Sequence, residues 1–289
     1  MKRKIFITGG GGMLASEMEF FYSKRGDDVF APTIGQLNIL EIGKVEDAIL
    51  HFKPDYVLHT AALHVNDCEE HPEMAFKLNS WATSNLARIC QKNNSGFVYI
   101  SSCGYFGDEV KYYSEYDPVV LKTVYARAKH QGEVLAIKEC ERTFAIRPGW
   151  LFGGSVKQPK NFVYQRYLEA SKGGEIKTAG DKFGSPTYIG DLVMKIDEIL
   201  MADRPGLYHV TGNGGGSRAD YVKKIVENCG LKTKVVPVDS GLFPRKANVP
   251  DCEMLHNWNL KFIGLSPMPN WEDAIERYCK TMLEELKSE

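Results

Sequence analysis

Lys4-Ile5-Phe6-Ile7-Thr8-Gly9-Gly10-Gly11-Gly12-Met13-Leu14-Ala15 runs from a short apolar strand through four glycines into the start of a helix. Gly9, Gly12 and Ala15 fall at Gly-x-x-Gly-x-x-Ala spacing. Glycine here permits a tight turn and lets a pyrophosphate approach the backbone, while the helix N-terminus supplies oriented N–H groups. A glycine run alone reads equally well as a flexible linker. Its place between a strand and a helix, at the head of a series of such units, argues instead for a dinucleotide-binding turn. Gly9, Gly12, Met13 and Leu14 are then the residues beside the phosphates.

Outward from that turn, strands and helices alternate. Strands are predicted at Lys4–Thr8, Val29–Ala31, Tyr56–Thr60, Phe97–Ser101 and Thr143–Arg147. Helices are predicted near Met13–Arg25, Lys44–Phe52, Pro72–Lys92 and Thr123–Glu141. This rhythm predicts an α/β fold, a Rossmann-type parallel sheet with helices on both faces, over residues 1–152. After Trp150 the rhythm changes. Residues 153–289 are expected to form a smaller mixed α/β lobe for substrate, with 188–212 (helix Tyr188–Met201, strand Leu207–Val210) returning to the first domain. Within the lobe, helices are predicted near Phe162–Ser171, after the N-cap candidate Ser217 and from about Trp271. Strands are predicted near Glu175–Thr178 and Lys234–Val238.

Composition narrows the function. The 289 residues carry 36 Lys and Arg against 37 Asp and Glu, a net charge of -1. No single-sign field is available for nucleic acid or an anionic membrane. There is neither a signal-peptide pattern nor a stretch of ~18 apolar residues, so a cytoplasmic location is expected. The seven cysteines are scattered without a Cys-x-x-Cys pair, as buried reduced thiols would be. The seven histidines are equally dispersed, and no metal site is expected.

The chemistry concentrates in two segments. Tyr125-Ala126-Arg127-Ala128-Lys129 puts a phenol and an ammonium one helical turn apart on one face. A nearby cation favours phenolate, which would bring the tyrosine toward working pH as a proton donor or acceptor at a carbonyl. Ile100-Ser101-Ser102-Cys103 ends an apolar strand, where parallel sheets bind ligands, so the Ser102 hydroxyl can reach the same oxygen. The second strand runs Val29-Phe30-Ala31-Pro32-Thr33, with no carboxylate to hold a ribose 2′-hydroxyl and no arginine for a 2′-phosphate. NADP and NAD both stay open, with NADP favoured by the missing carboxylate.

At these residues the chain resembles the extended short-chain dehydrogenase/reductase family, and within it the dTDP-4-dehydrorhamnose reductases. The resemblance spans nearly the whole length. It takes in the glycine loop, His59-Thr60-Ala61-Ala62 with Asp67 and Glu70, and Asn79. It continues through Val124–Lys129 with Gly132-Glu133, Ile146-Arg147-Pro148-Gly149-Trp150, and Asp181–Thr187 with Asp191. It implies a reductase of a nucleotide-linked 4-keto-6-deoxy sugar. Tyr125 would donate the proton, Lys129 would bind the nicotinamide ribose, Ser102 would polarise the carbonyl and Trp150 would face the sugar. Thr60, Ala61, Ala62 and Asn79 would lie along the coenzyme, and Asn38 and Ile39 near its adenine. A homodimer is expected by the same analogy.

Departures from the pattern matter. Ser101-Ser102-Cys103-Gly104-Tyr105-Phe106 stands where those reductases read Ser-Thr-Asp-Tyr-Val-Phe, and Leu63-His64 replaces Tyr-Thr. Cys103 and His64 therefore enter as substrate contacts of a different kind. Ser101-Ser102-Cys103 is similar to GDP-fucose synthases, so an epimerase/reductase using Cys103 is one alternative, although packing is the main role expected of this cysteine. A non-catalytic dinucleotide-binding regulator, like the β subunit of methionine adenosyltransferase, is another. Lys157, Lys160, Arg166 and Arg245 could serve a diphosphate, but each alone reads as scattered surface charge. Trp258 and Trp271 are expected to pack inside the second lobe, His59 to be a buried, hydrogen-bonded core residue, and Asp191 to face a helix dipole.

Overall fold

A sheet covered on both faces needs strands that are apolar on both sides, and β1 (Lys4–Thr8) meets that condition: Ile5, Phe6 and Ile7 are all fully buried. The structure, a computed structural model, describes residues 2–288. After β1 come α1 (Met13–Lys24), β2 (Asp28–Phe30), α2 (Ile42–Phe52), β3 (Tyr56–His59), α3 (Val65–Glu70) and α4 (Pro72–Phe76). A π turn (Lys77–Trp81) leads to α5 (Ala82–Lys92), β4 (Gly96–Ile100), α6 (Val124–Glu139), β5 (Thr143–Pro148) and β6 (Trp150–Phe152). The rest comprises α7 (Phe162–Ala170), β7 (Glu175–Ala179), β8 (Phe183–Gly184), β9 (Pro186–Tyr188), α8 (Ile189–Ala202) and β10 (Gly206–Val210). It ends with β11 (Gly216–Ser217), α9 (Arg218–Asn228), β12 (Lys234–Val238), β13 (Cys252–Glu253), α10 (Trp258–Phe262) and α11 (Trp271–Ser288).

The main sheet has the order β10-β5-β4-β3-β1-β2, and every pairing is parallel. Alternation along each strand divides the core. Ile5, Ile7, Leu58, Val98 and Ile146 pack with Met18 of α1 and Ile196 of α8, while Phe6, Val57, Phe97 and Tyr99 pack with Leu86 and Ala136 of α5 and α6. The Rossmann-type reading thus holds in both topology and layering. Strand order reverses between β1 and β3, and the crevice at such a switch point is where open α/β sheets bind ligands.

The single helix predicted over Pro72–Lys92 is interrupted. A π turn carries Asn79, whose carbonyl accepts from the hydroxyls of Thr83 (2.9 Å) and Tyr99 (3.3 Å). α6 crosses so closely that a Cβ on Gly132 would lie 2.2 Å from that carbonyl oxygen. Such a bulge leaves no periodicity signal, because the residues on either side keep their burial pattern.

The remaining strands form three small units: β7 with β12, β6 with β9, and β8 between β11 and β13. Trp271 is buried in this region as expected, but Trp258 lies at the surface, stacked on His256 with ring centres 5.5 Å apart. Ser217 caps α9 in a full capping box with Asp220. Asp191 sits in the first turn of α8, but its partner is a bidentate ion pair with Arg277 of α11. All seven cysteines are free, six of them buried. Among the described residues no helix is long and apolar enough to cross a membrane.

Candidate active site

The glycine turn closes onto the neighbouring strand. Gly9 has φ +79°, and a Cβ there would meet Thr60 Oγ1 at 2.9 Å and the Ala61 backbone at 3.1 Å. A Cβ on Gly10 would strike the Ala31 carbonyl oxygen at 2.1 Å. Gly12 is the N-cap of α1 and provides no side-chain cap, so the first-turn N–H groups of Met13 and Leu14 have no capping partner. That orphaned set of donors at the switch-point crevice suits a pyrophosphate. Thr60 and Ala61 border it, Thr60 Oγ1 donating to the Thr8 carbonyl at 2.7 Å.

Other residues expected along the coenzyme have structural partners. The Asn79 side chain accepts from Leu63 N at 2.8 Å and donates to Leu63 O at 3.1 Å, which fixes the loop after β3. Asn38 Oδ1 accepts from Leu40 N at 3.0 Å, and Ile39 is buried beside it. His59 is buried and bonded to Thr8 Oγ1 (2.7 Å) and Thr83 Oγ1 (3.1 Å), as the sequence predicts. Burial lowers its pKa from 6.5 to about 3. The folded ring therefore refuses a proton that the unfolded ring accepts below about pH 6.5. This stabilisation is complete above that value and is lost as pH falls, by about 1.4 kcal/mol per pH unit. Urea midpoints between neutral pH and about pH 5 are expected to show that slope flattened in His59→Gln.

Tyr125 stands in the first turn of α6, which is held at its start by two side chains. Thr123 Oγ1 accepts from Ala126 N at 2.9 Å, and Glu69 Oε1 accepts from Val124 N at 2.7 Å. Ser102 follows β4, and its hydroxyl lines the same cavity as the Tyr125 phenol. Burial pushes the phenol pKa up, and the Ser102 hydroxyl opposes it only in part. The sequence predicts the reverse, a phenol lowered by Lys129. The reason is geometric: the Lys129 ammonium donates to the Ile100 carbonyl at 2.5 Å and lies 4.1 Å from the centre of the Tyr99 ring. Burial takes Lys129 itself from 10.5 down to about 7.

Ser102, Tyr125, Trp150 and His64 line one cavity of about 510 Å³. Lys129 and Cys103 do not line it; they are buried, at 3% and 6% exposure. Burial and the Glu253 carboxylate keep the Cys103 thiol protonated. The His64 ring at the cavity wall has a lowered pKa, from desolvation and then from Lys160. Trp150 is fixed by Gly184, where a Cβ would come within 2.2 Å of the indole, and its Nε1 donates to Glu253 Oε2 at 2.6 Å. The Arg218 guanidinium lies 3.6 Å from the centre of the indole ring.

A second cavity of about 420 Å³ shares Trp150, Arg218, Arg245 and Glu253 with the first. Arg166, Lys177, Lys182 and Lys246 add positive charge to it, and Phe162 and Phe243 give it aromatic walls. Arg218 and Glu253 escaped the sequence reading. Arg218 follows a good N-cap and reads as helix surface, and Glu253 lies in a two-residue strand whose pairing is set from far away in the chain. Arg166, Lys160 and Arg245, scattered in sequence, converge on these walls. Among the described residues no group of three or more His, Cys, Asp or Glu side chains could hold a metal.

Comparison with known proteins agrees with this architecture. A family model described as RmlD substrate binding domain matches residues 3–284. The dTDP-4-dehydrorhamnose reductase of Mycolicibacterium smegmatis is 30% identical over 283 residues, covering 96% of this chain and 85% of that protein. The spore coat polysaccharide biosynthesis protein SpsK of Bacillus subtilis is 29% identical over 279 residues, covering 96% and 97%. The crystal structure of a dTDP-4-dehydrorhamnose reductase from Bacillus anthracis in complex with NADP superposes with a TM-score of 0.92 at 28% identity, covering 97% of this chain and 100% of that one. Fold, glycine turn and the paired serine and tyrosine thus converge with these matches: the chain belongs to the RmlD substrate binding domain family.

Proposed function

We propose that this protein is an NAD(P)H-dependent reductase of a nucleotide-linked 4-keto-6-deoxy sugar, acting in the manner of dTDP-4-dehydrorhamnose reductase. The observation that carries this reading is that Ser102 and Tyr125 line one cavity, which shares Trp150, Arg218 and Glu253 with a basic, aromatic-lined one. The first suits a ketone, the second a diphosphate and a base.

In this reading Gly9, Gly12, Met13 and Leu14 hold the pyrophosphate, and Thr60, Ala61, Ala62 and Asn79 border the coenzyme, with Asn38 and Ile39 toward its adenine. The bound dinucleotide supplies a hydride. Ser102 polarises the ketone, and Tyr125, kept as neutral phenol by burial, releases its proton to the developing alkoxide. Lys129 positions the ribose, and Trp150, held by Glu253, lines the sugar site. NADPH is preferred because β2 ends without a carboxylate, and a structural relative binds NADP. Residues 1–152 with 188–212 form the dinucleotide domain and 153–289 the substrate lobe. A homodimer in the cytoplasm belongs to the same reading.

Cys103 gains no support as an acid–base group, since its thiol is buried and held protonated. The test is oxidation of NADPH and of NADH by the purified protein against nucleotide 4-keto-6-deoxy sugars. Turnover with one of them is expected, faster with NADPH. Silence across the panel, with tight capture of another protein, would replace this reading by the regulatory one.

A further inference from the structure

Glu253 is a carboxylate that the mechanism leaves without a chemical task. It is partly exposed and lines the same cavity as Ser102 and Tyr125. Its two oxygens are unequally engaged. Oε2 accepts a short bond from Trp150 Nε1 at 2.6 Å, whereas Oε1 has, among the described residues, only the Cys103 thiol at 3.6 Å. A thiol is a weak donor, so Oε1 keeps most of its capacity to accept. A carboxylate oxygen that faces a concave site with so weak a partner is a recognition group for a bound donor.

The neighbouring backbone supplies the room. Gly104 is buried, yet it is held in ordinary negative-φ backbone, so its lack of a side chain is not needed for the turn. The Cβ position of Gly104 is bounded by Glu253 Oε1 at 3.0 Å and Ser102 Oγ at 3.4 Å. Gly104 N donates to Ser102 Oγ at 3.1 Å, which fixes that hydroxyl at the edge of the space. The missing side chain therefore leaves a notch walled on one side by the group that meets the ketone and on the other by an underused carboxylate oxygen.

We propose that Gly104 and Glu253 form a specificity notch that reads a hydrogen-bond donor on the carbon next to the reacting ketone. This rests on the reductase reading above. In a 4-keto-6-deoxyhexose, C5 bears only the ring oxygen and a methyl group, so the donor is the C3 hydroxyl. With Ser102 on the C4 oxygen, Glu253 Oε1 accepts from the substituent one ring carbon away. Glu253 is thus a specificity residue as well as the clamp on Trp150.

The test compares kcat/KM for a dTDP-4-keto-6-deoxyhexose bearing the C3 hydroxyl with that for its 3-deoxy analogue. The wild type is expected to prefer the hydroxylated sugar by on the order of 10- to 100-fold, the discrimination of a hydrogen bond to a charged group. Glu253→Ala should bring that ratio toward one, and Glu253→Gln, which keeps an acceptor, should retain part of it. Gly104→Ala should fill the notch and raise KM for the hydroxylated sugar more than for the deoxy analogue. Because loss of Glu253 also frees Trp150, each variant is checked for coenzyme binding, and the ratio rather than the absolute rate is read. A ratio unchanged in both Glu253→Ala and Gly104→Ala would overturn the notch while leaving the reductase standing. No turnover of either sugar by the wild type would overturn both.

Discussion

Tyr125→Phe is expected to lower kcat by about 10²- to 10⁴-fold while coenzyme affinity stays near that of the wild type. The substitution removes one oxygen from a ring whose position is set by other groups: Thr123 and Glu69 cap α6, and the ring packs beside Val124 and Ala128. The lost oxygen is the one that shares a cavity with Ser102 and is kept protonated by burial, so the ketone loses its proton source. Ser102→Ala should cost less, since it removes a polarising hydroxyl but leaves the phenol. Coenzyme titration by fluorescence alongside steady-state rates separates the two effects. A Tyr125→Phe protein with unchanged turnover would show that the proton comes from elsewhere.

Arg147→Met is expected to destabilise the protein by about 3–5 kcal/mol, the cost of leaving a buried carboxylate without its cation. Arg147 and Glu133 are both nearly inaccessible and pair through two bonds, Nε to Oε2 at 2.9 Å and Nη2 to Oε1 at 2.6 Å. The Ser101 hydroxyl donates to the same carboxylate at 2.6 Å, so one cluster ties β5, α6 and the end of β4 together directly behind Ser102. Denaturant unfolding of the single variant should show the loss, and Glu133→Gln combined with Arg147→Met should recover part of it by removing the stranded charge. Equal stability of single and double variants would mean that Glu133 is not left uncompensated.

These two residues show how sequence reading and structure divide the work. Glu133 and Arg147 stand inside the stretches that carry the family resemblance, yet neither reaches the cavity, and their task is to hold the parts that do. Gly132 likewise serves close packing against the Asn79 carbonyl. The glycine turn, the alternating strands and the Ser102–Tyr125 order were legible because each depends on local pattern: short continuous apolar runs, strand–turn–helix order, and a strand end followed by a helix start. The interrupted helix at Lys77–Trp81 was not, because a π turn changes hydrogen bonding without changing composition. The lobe that carries Glu253 and Arg218 was legible only in outline. Its strands β8, β11 and β13 are two residues long and pair across distant parts of the chain, so no window of sequence contains the signal. The orientation of Lys129 illustrates the same limit for a side chain. Its spacing from Tyr125 is correct for a shared face, but an interior carbonyl and the Tyr99 ring compete for the ammonium.

The central claim is hydride delivery to a ketone held at Ser102 and Tyr125, and isotope transfer tests it most directly. With reduced dinucleotide deuterated at the nicotinamide C4, on each face in turn, one of the two labels should appear at C4 of the recovered deoxysugar, one atom per turnover. Deuterium absent from the sugar with both labels, while substrate is consumed, would contradict the account.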